Sequence, residues 1–388
     1  MSHLIFIAIL LWLAPLVARA APRCVDELVY PRIESEAAVF AVRKLVSGLE
    51  FPWAVEFVSG QRILITGRPG QMWLKDGDTI TEIRGLPGVR AGGQGGMLDV
   101  IAHPDFSSNQ LIYLSYAAAY RGGSGTRVMR ARLQDHALID QQVIFEMDPP
   151  GRGAIHFGSR FAFDANGDLF FTLGERNDRD LAQALDAHRG KVIRLREDGV
   201  VPQDNPFIST PGAKPEVFSF GHRNPQGLAY DPDNRRLWLH DHGPRGGDAL
   251  HIVRAGQNYG WPIATYGREY YGPSIGTTPD KLDNIVQPII HWTPSIAPCG
   301  LTLYRGDSFP DWRGNLFAGA LAGQHLRRIV LKNDQVMSQE LLLKDQLGRI
   351  RDVITCPDGY LWFTTDAADG GLYRLEPASR IGNQIIEH

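Results

Sequence analysis

The feature that most constrains this chain is an internal repeat. A turn rich in Asp, Asn, Gly and Pro is followed by a short strand in which apolar residues alternate with β-branched or aromatic ones. Six copies can be read: VSGQRILITGRPG from Val58, HPDFSSNQLIYLSY from His103, FDANGDLFFTLGE from Phe163, YDPDNRRLWLHDHG from Tyr230, FPDWRGNLFAGAL from Phe309 and CPDGYLWFTTD from Cys356. Each is followed by a second strand ending in charged residues: GQMWLKDG, TRVMRARL, GKVIRLRED, DALHIVRAG, HLRRIVLK and GGLYRLEP. The pairs read as β-hairpins at the middle and edge of four-stranded units. Spacings of about 45 to 80 residues, with almost no helical periodicity, predict an all-β chain: a six-bladed β-propeller with four-stranded antiparallel blades. Residues 41–49 (AVRKLVSGL) alternate well enough to close the ring against the last blade, removing open sheet edges. One propeller over 41–378 is therefore expected, with an N-terminal extension at 21–40 and a C-terminal tail at 379–388. The long insertions 176–188 and 263–287 are expected on one face, as walls of a site.

The first twenty residues, MSHLIFIAILLWLAPLVARA, read as a secretory signal peptide with a cleavage pattern Ala18-Arg19-Ala20, although no Lys or Arg precedes the apolar run. That run is short for a membrane span, so export to the periplasm or secretion, with no stable membrane insertion after cleavage, is the expectation. Cys24 follows Pro22 and Arg23, which is not a lipoprotein pattern. Net charge is -3, with acids and bases mixed and no basic stripe to suit nucleic acid. Cys24, Cys299 and Cys356 cannot all pair within one chain. An oxidising compartment permits one disulfide, and buried thiols are expected for Cys299 and Cys356.

Chemistry concentrates in Phe218 to Pro262, FSFGHRNPQGLAYDPDNRRLWLHDHGPRGGDALHIVRAGQNYGWP. Arg223 and Asn224 put a guanidinium beside an amide, a pair that can polarise a carbonyl oxygen or serve an interblade salt bridge. Gly243-Pro244 offers carbonyls not obliged to pair in a sheet, which suit either a hard cation such as Ca²⁺ or a plain turn. His240 and His242 share one strand face, which fits a transition metal or simple packing. Elsewhere, His156 in GAIHFGSR is a candidate general base or a hydrogen-bonded loop histidine. Gln94 in RAGGQGGMLDV is an amide among glycines, where backbone can approach a flat ligand. Arg349 and Arg351 alternate on one strand face, a clamp for carboxylates of a ligand or of a neighbouring blade.

In chain order, GQGGMLDV with Gln94, HFGSRFAFD with His156, SFGHRNPQG, HGPRGGD, NYGWP, and RIRDV with PDGYLWFTTD resemble the soluble aldose sugar dehydrogenases of the soluble glucose dehydrogenase family. These are six-bladed propellers that use pyrroloquinoline quinone (PQQ) and Ca²⁺. The resemblance spans about Leu49 to Leu375. It implies that His156 takes the proton from a sugar's anomeric hydroxyl while hydride passes to C5 of the quinone. It implies that Arg223 stabilises charge on the C5 oxygen with Asn224 beside it, and that the Gly243 and Pro244 carbonyls hold Ca²⁺ together with the cofactor. Gln94, Arg349 and Arg351 then match cofactor-binding positions, and Tyr270 matches an aromatic lying along the quinone. A second Ca²⁺ site would use Asp248 and Tyr259, weakened because Ala249 stands where relatives have Glu. Ala322 stands where the family often has a Lys that reaches the cofactor, a loss for which Arg327 or Arg328 is a candidate replacement. Ile155 replaces an acidic neighbour of the base, so sugar contacts are expected to differ.

The expected function is PQQ- and Ca²⁺-dependent oxidation of aldose sugars at C1 to the lactone. Electrons would pass to a quinone or cytochrome acceptor that the sequence does not name. Two other classes stand beside it: a metal-dependent sugar lactonase using His240 and His242, and a noncatalytic propeller that has lost its cofactor.

Overall fold

The computed structural model describes residues 21–378, so the stretch 1–20 expected as a signal peptide and the tail expected at 379–388 lie outside the described residues. Six antiparallel sheets follow one another along the chain. Blade 1 is Pro52–Ser59, Arg62–Gly67, Met72–Asp76 and Thr79–Glu82. Blade 2 is Met97–Ala102, Leu111–Tyr120, Gly123–Gln134 and Ala137–Glu146. Blade 3 is Gly158–Phe163, Leu169–Leu173, Lys191–Leu195 and Val217–Phe220. Blade 4 is Pro225–Asp231, Arg236–Asp241, Asp248–Val253 and Ile290–Trp292. Blade 5 is Pro298–Leu303, Leu316–Ala320, His325–Lys332 and Gln335–Leu342. Blade 6 takes Ile350–Thr355, Leu361–Thr365 and Gly370–Pro377 from the end of the chain, and Val39–Leu49 from its beginning.

The first strand of each blade faces its counterparts in the blades on either side, so six inner strands surround the axis. The ring closes as the sequence predicts. Val39–Leu49 pairs with Gly370–Pro377, with Val42 opposite Leu375 and Leu49 opposite Gly370, so the last blade leaves no open edge toward the first. Two details differ from expectation. The repeated hairpins are the second and third strands of their blades, both internal, with no outer-edge strand among them. Blade 6 also carries a fifth strand: Arg23–Glu34, within the stretch expected as an extension, pairs outside Val39–Leu49 through three register irregularities.

The core is annular, made of six apolar seams between neighbouring blades. Trp53, Leu64, Leu98 and Leu114 pack blade 1 on blade 2, Tyr113 and Phe161 join 2 to 3, and Phe170 and Leu239 join 3 to 4. Trp238 and Leu316 join 4 to 5, Phe317 and Val353 join 5 to 6, and Val55 with Trp362 brings 6 back to 1. Each such buried large side chain contributes about 1.5–3 kcal/mol of transfer free energy. The strand alternation read from the sequence is the physical cause: both faces of every blade are covered by the next. All three cysteines are free thiols, with Cys299 and Cys356 buried as expected.

At the centre one arginine touches every blade. Arg160, on the inner strand of blade 3, donates from Nη1 to Asp352 at 2.8 Å and lies 3.5 Å from Asp99. Its Nε donates to the Gln226 carbonyl, its Nη2 to the Arg351 carbonyl and the Cys299 sulfur, and its plane lies 4.0 Å above the Trp53 ring. Burial pushes the Asp99 and Asp352 carboxyls up, and the Arg160 guanidinium between them works against that rise. Glu56, facing the same carboxylates from blade 1, has no arginine of its own, and burial pushes it up to about 8.

Two outcomes follow. Arg160→Met leaves two buried carboxylates unpaired and is expected to cost about 3–5 kcal/mol in denaturant unfolding. For Glu56 the folded-state value lies above the unfolded one, so stability is lost as pH rises from about 4.5 to about 8. Glu56→Gln should therefore melt with the wild type near pH 4 and several degrees above it at pH 8.

Candidate active site

Alternation of strand direction sends the connections between blades, and the turns between second and third strands, to one end of the ring. Every candidate sugar or cofactor contact except Tyr270 lies at or next to these connections. His156 sits between blades 2 and 3 in a left-handed conformation, φ 55°, and is buried. Its N–H donates to Gln94 Oε1 at 2.7 Å, and Gln94 N–H returns a bond to the Ala154 carbonyl at 2.8 Å. Its Nδ1 lies 3.0 Å from Oε1 of the buried Glu175, which follows the second strand of blade 3. A ring that gives its Nδ1 proton to this carboxylate presents Nε2 as the nitrogen able to take another. Arg176, next in the chain, clamps the loop: it bonds the Gly153 and Ile155 carbonyls and Ser124 Oγ, and stacks 3.4 Å from the Phe157 ring.

Arg223 and Asn224 lead into blade 4, where both N–H groups are fixed by Asp241 at 2.8 and 2.6 Å. Arg223 Nη1 donates to the His242 and Gly243 carbonyls at 3.3 and 3.1 Å, its guanidinium lies over Trp261, and its buried Nε has no partner. The turn after Asp241 needs Gly243 because a Cβ there would collide with the Gly246 carbonyl. Asn224 Oδ1 accepts from Gly158 N–H and from Gln226, tying blade 4 to the strand that follows His156.

Arg349 and Arg351 start blade 6 and converge on one carboxylate, Asp366, at the end of that blade's second strand. Arg349 reaches its Oδ2 at 3.1 and 2.9 Å and Arg351 at 3.0 Å. Burial works against the Asp366 charge, but Arg351, Arg68 and Arg349 outweigh it and hold the carboxyl below its usual range. Arg351 also reaches Gln226 and Cys299, while its buried Nε is unpartnered. The clamp read from the sequence thus exists, and the carboxylate it holds here is its own blade's. The insertions 176–188 and 263–287 do meet as one wall, through Arg179 on Glu269 at 2.7 Å and over the Trp261 ring. Tyr270 lies on this wall and is 55% exposed, with its carbonyl taking a bond from Arg245.

Other candidates serve the scaffold. The Asp248 carboxylate accepts from the N–H groups of Gly243, Ile296 and Ala297 and from Ser295 Oγ, which uses its lone pairs without a cation. Tyr259 donates to the Ile252 carbonyl, accepts from Arg254 N–H and stacks on His222. Ala249 and Tyr259 line a cavity of about 40 Å³ that Asp248 does not reach. This donor set does not fit a second Ca²⁺. His240 and His242 face the Gly300 and Pro298 carbonyls with Nε2, and burial pushes them down to about 3 and about 4, so both are neutral and pin blade 4 to blade 5. Arg327 pairs with Gln339 and Arg328 with Glu340 and Glu36, away from the site, so neither replaces a cation at Ala322.

Three orienting carboxylates were not singled out from the sequence: Glu175, Asp241 and Asp366. A signal was available, because LFFTLGE, LWLHD and LWFTTD end the same strand of the repeat in an acid.

The fold thus places the chain among six-bladed propellers with a chemically equipped loop end, and comparison with known proteins narrows the class. The glucose/sorbosone dehydrogenase family model matches residues 49–374, and the chain belongs to that family. It is 41% identical over 350 residues to aldose sugar dehydrogenase YliI of Escherichia coli (strain K12), covering 88% of this chain and 94% of that one. The crystal structure of the soluble aldose sugar dehydrogenase from Escherichia coli in the apo-form is similar at TM-score 0.84 and 40% identity, over 87% of this chain and 99% of that one. The PQQ-bound form of aldose sugar dehydrogenase from Streptomyces coelicolor is similar at TM-score 0.72 and 27% identity, over 92% and 99%.

Asp248→Asn turns one acceptor oxygen into a donor among four inward-facing donors. It should cost about 2–3 kcal/mol in unfolding and leave the number of Ca²⁺ ions bound, measured by calorimetry, unchanged.

Proposed function

We propose that this protein is a PQQ- and Ca²⁺-dependent aldose sugar dehydrogenase, an oxidoreductase that acts in the periplasm or outside the cell. The observation that carries the reading is the convergence, at one end of the ring, of a histidine–carboxylate pair with guanidinium groups whose Nε atoms are buried and unpartnered. A cationic belt with spare donors fits a flat polycarboxylate such as PQQ. Arg349 and Arg351 would hold its carboxylates, Gln94 and Asn224 its polar edge, and Tyr270 or Trp261 a ring face.

The Gly243 and Pro244 carbonyls fit one Ca²⁺, because a carbonyl that accepts one bond from Arg223 keeps a second lone pair. Both protein ligands are neutral, so the ion's charge must be balanced by the anionic cofactor bound with it. When bound, the quinone supplies a two-electron acceptor and Ca²⁺ the Lewis acidity that polarises it.

The chain's own part is to bind, orient and move one proton. His156 Nε2 accepts the proton of the anomeric hydroxyl as C1 gives up hydride, and the imidazolium is stabilised by Glu175. Arg223, fixed in advance by Asp241 at its backbone and Trp261 beneath its side chain, would supply positive charge to a carbonyl oxygen of the bound quinone. With the bound quinone taking up the hydride, the sugar would leave as its lactone, and the electron pair would pass from the quinone to a quinone or cytochrome acceptor. Export rests on the leader at 1–20, and among the described residues no helix is long and apolar enough to cross a membrane.

Purified protein reconstituted with PQQ and Ca²⁺ should reduce a dye when an aldose is added. A folded protein that reduces none with any aldose would sink the proposal. His156→Ala and Glu175→Gln should each lower kcat by about 10²-fold or more, with PQQ affinity retained.

A further inference from the structure

Three guanidinium groups gather on the single carboxylate of Asp366. Two belong to its own blade. The third is Arg68 of blade 1, whose Nη1 lies 3.6 Å from Oδ1, the oxygen that Arg349 and Arg351 leave free. One negative charge against three positive ones leaves a surplus of two at the mouth of the axis. That imbalance is costly in a half-buried place unless an anion joins it. Burial and the two neighbouring arginines both disfavour the charge on Arg68, and Asp366 only partly offsets them.

The position of Arg68 in the repeat is unusual. In blades 3, 4 and 6 the second strand ends on or within two residues of an acid, Glu175, Asp241 or Asp366, which bonds a group at or just before the start of the same blade. Blade 1 ends that strand on Gly67 and Arg68, and blade 5 ends it on Leu321 and uncharged Ala322. Arg68 is also held firmly. Its N–H donates to the Phe51 carbonyl at 3.0 Å, its carbonyl accepts from Met97 N–H at 3.1 Å, and its guanidinium rests 4.5 Å above the Phe51 ring. Gly96 must be glycine because a Cβ there would collide with the Arg68 carbonyl, and Gly96 is two residues from Gln94. Arg68 therefore stands between the Gln94 loop and the Arg349–Arg351 clamp.

We propose that Arg68 is a third cationic contact for a carboxylate of the bound quinone, and that Asp366 serves as the shared counter-ion of all three arginines while the site lacks the anion. This rests on the PQQ reading above. The guanidinium turns from a long contact with Asp366 to a direct, charge-assisted hydrogen bond with the cofactor.

The test is calorimetric titration of PQQ, with Ca²⁺ present, into the purified full chain free of cofactor, at low and high salt. Arg68→Met should raise Kd about tenfold or more and flatten the dependence of binding on salt, since one ion contact is gone. Arg68→Lys should recover much of the loss. A merely structural arginine would alter the melting temperature without changing the salt slope. If the Met variant does not fold, Arg68→Gln carries the same expectation. Wild-type binding with variant Kd and salt slope unchanged within about twofold overturns the role of Arg68 and leaves the enzyme reading standing. Failure of the wild type to bind PQQ overturns both.

Discussion

Arg160 is the contact on which the rest depends. Its guanidinium is a few ångströms across, yet it meets Trp53, Asp99, Gln226, Cys299, Arg351 and Asp352, which together represent the other five blades. A ring of six sheets packed by apolar seams has no inherent reason to choose one axial arrangement, because hydrophobic burial is not directional. A buried arginine is directional. Its donors must all be met, and they can be met only when six inner strands stand at particular heights around it. The two carboxylates tie their own neighbours as well, since Asp352 accepts from Val55 N–H and Asp99 from Phe161 N–H.

The candidate site is built on that axis. Asp352 is the residue after Arg351, and Gln226 gives its carbonyl to Arg160 while its side chain reaches Gly158, Asn224 and Arg351. A continuous hydrogen-bonded circuit thus runs from the axis through blades 6, 4 and 3 to the strand after His156. The side chains at the loop end are consequently fixed in advance, and a group held in place by its own scaffold needs little reorganisation to meet a ligand. The repeat supplies the mechanism for this rigidity: an acid at the end of a second strand reaches back to the group that opens its own blade. Glu175 holds His156, Asp241 holds the backbone of Arg223 and Asn224, and Asp366 holds Arg349 and Arg351.

The same device separates what was legible in the candidate residues from what was not. Arg349 and Arg351 read as a clamp because strand alternation puts both on one face, but the identity of the anion between them is a three-dimensional fact. His240 and His242 satisfied the same alternation and read as either a metal pair or simple packing. They are pins because blade 5 presents the Gly300 and Pro298 carbonyls opposite them. Asp248 entered as a weakened cation ligand through the family resemblance, yet the turn at Ser295 to Ala297, nearly fifty residues away, fills it with donors. Arg68 carried no local signal at all, since its partner lies at the far end of the chain.

By itself the sequence determined the architecture: the number of blades, the strand that closes the ring and the apolar seams. Those depend on periodicity and turn chemistry, which act over a few residues and repeat along the chain. Tertiary structure alone decided which polar groups are spent on the scaffold and which are left over for a ligand. A carboxylate or imidazole is committed by the donors and acceptors that face it, and in a closed ring those come from blades remote in sequence. The wrapping of Arg23–Glu34 outside blade 6 was settled in the same way, by the free edge of Val39–Leu49 after ring closure.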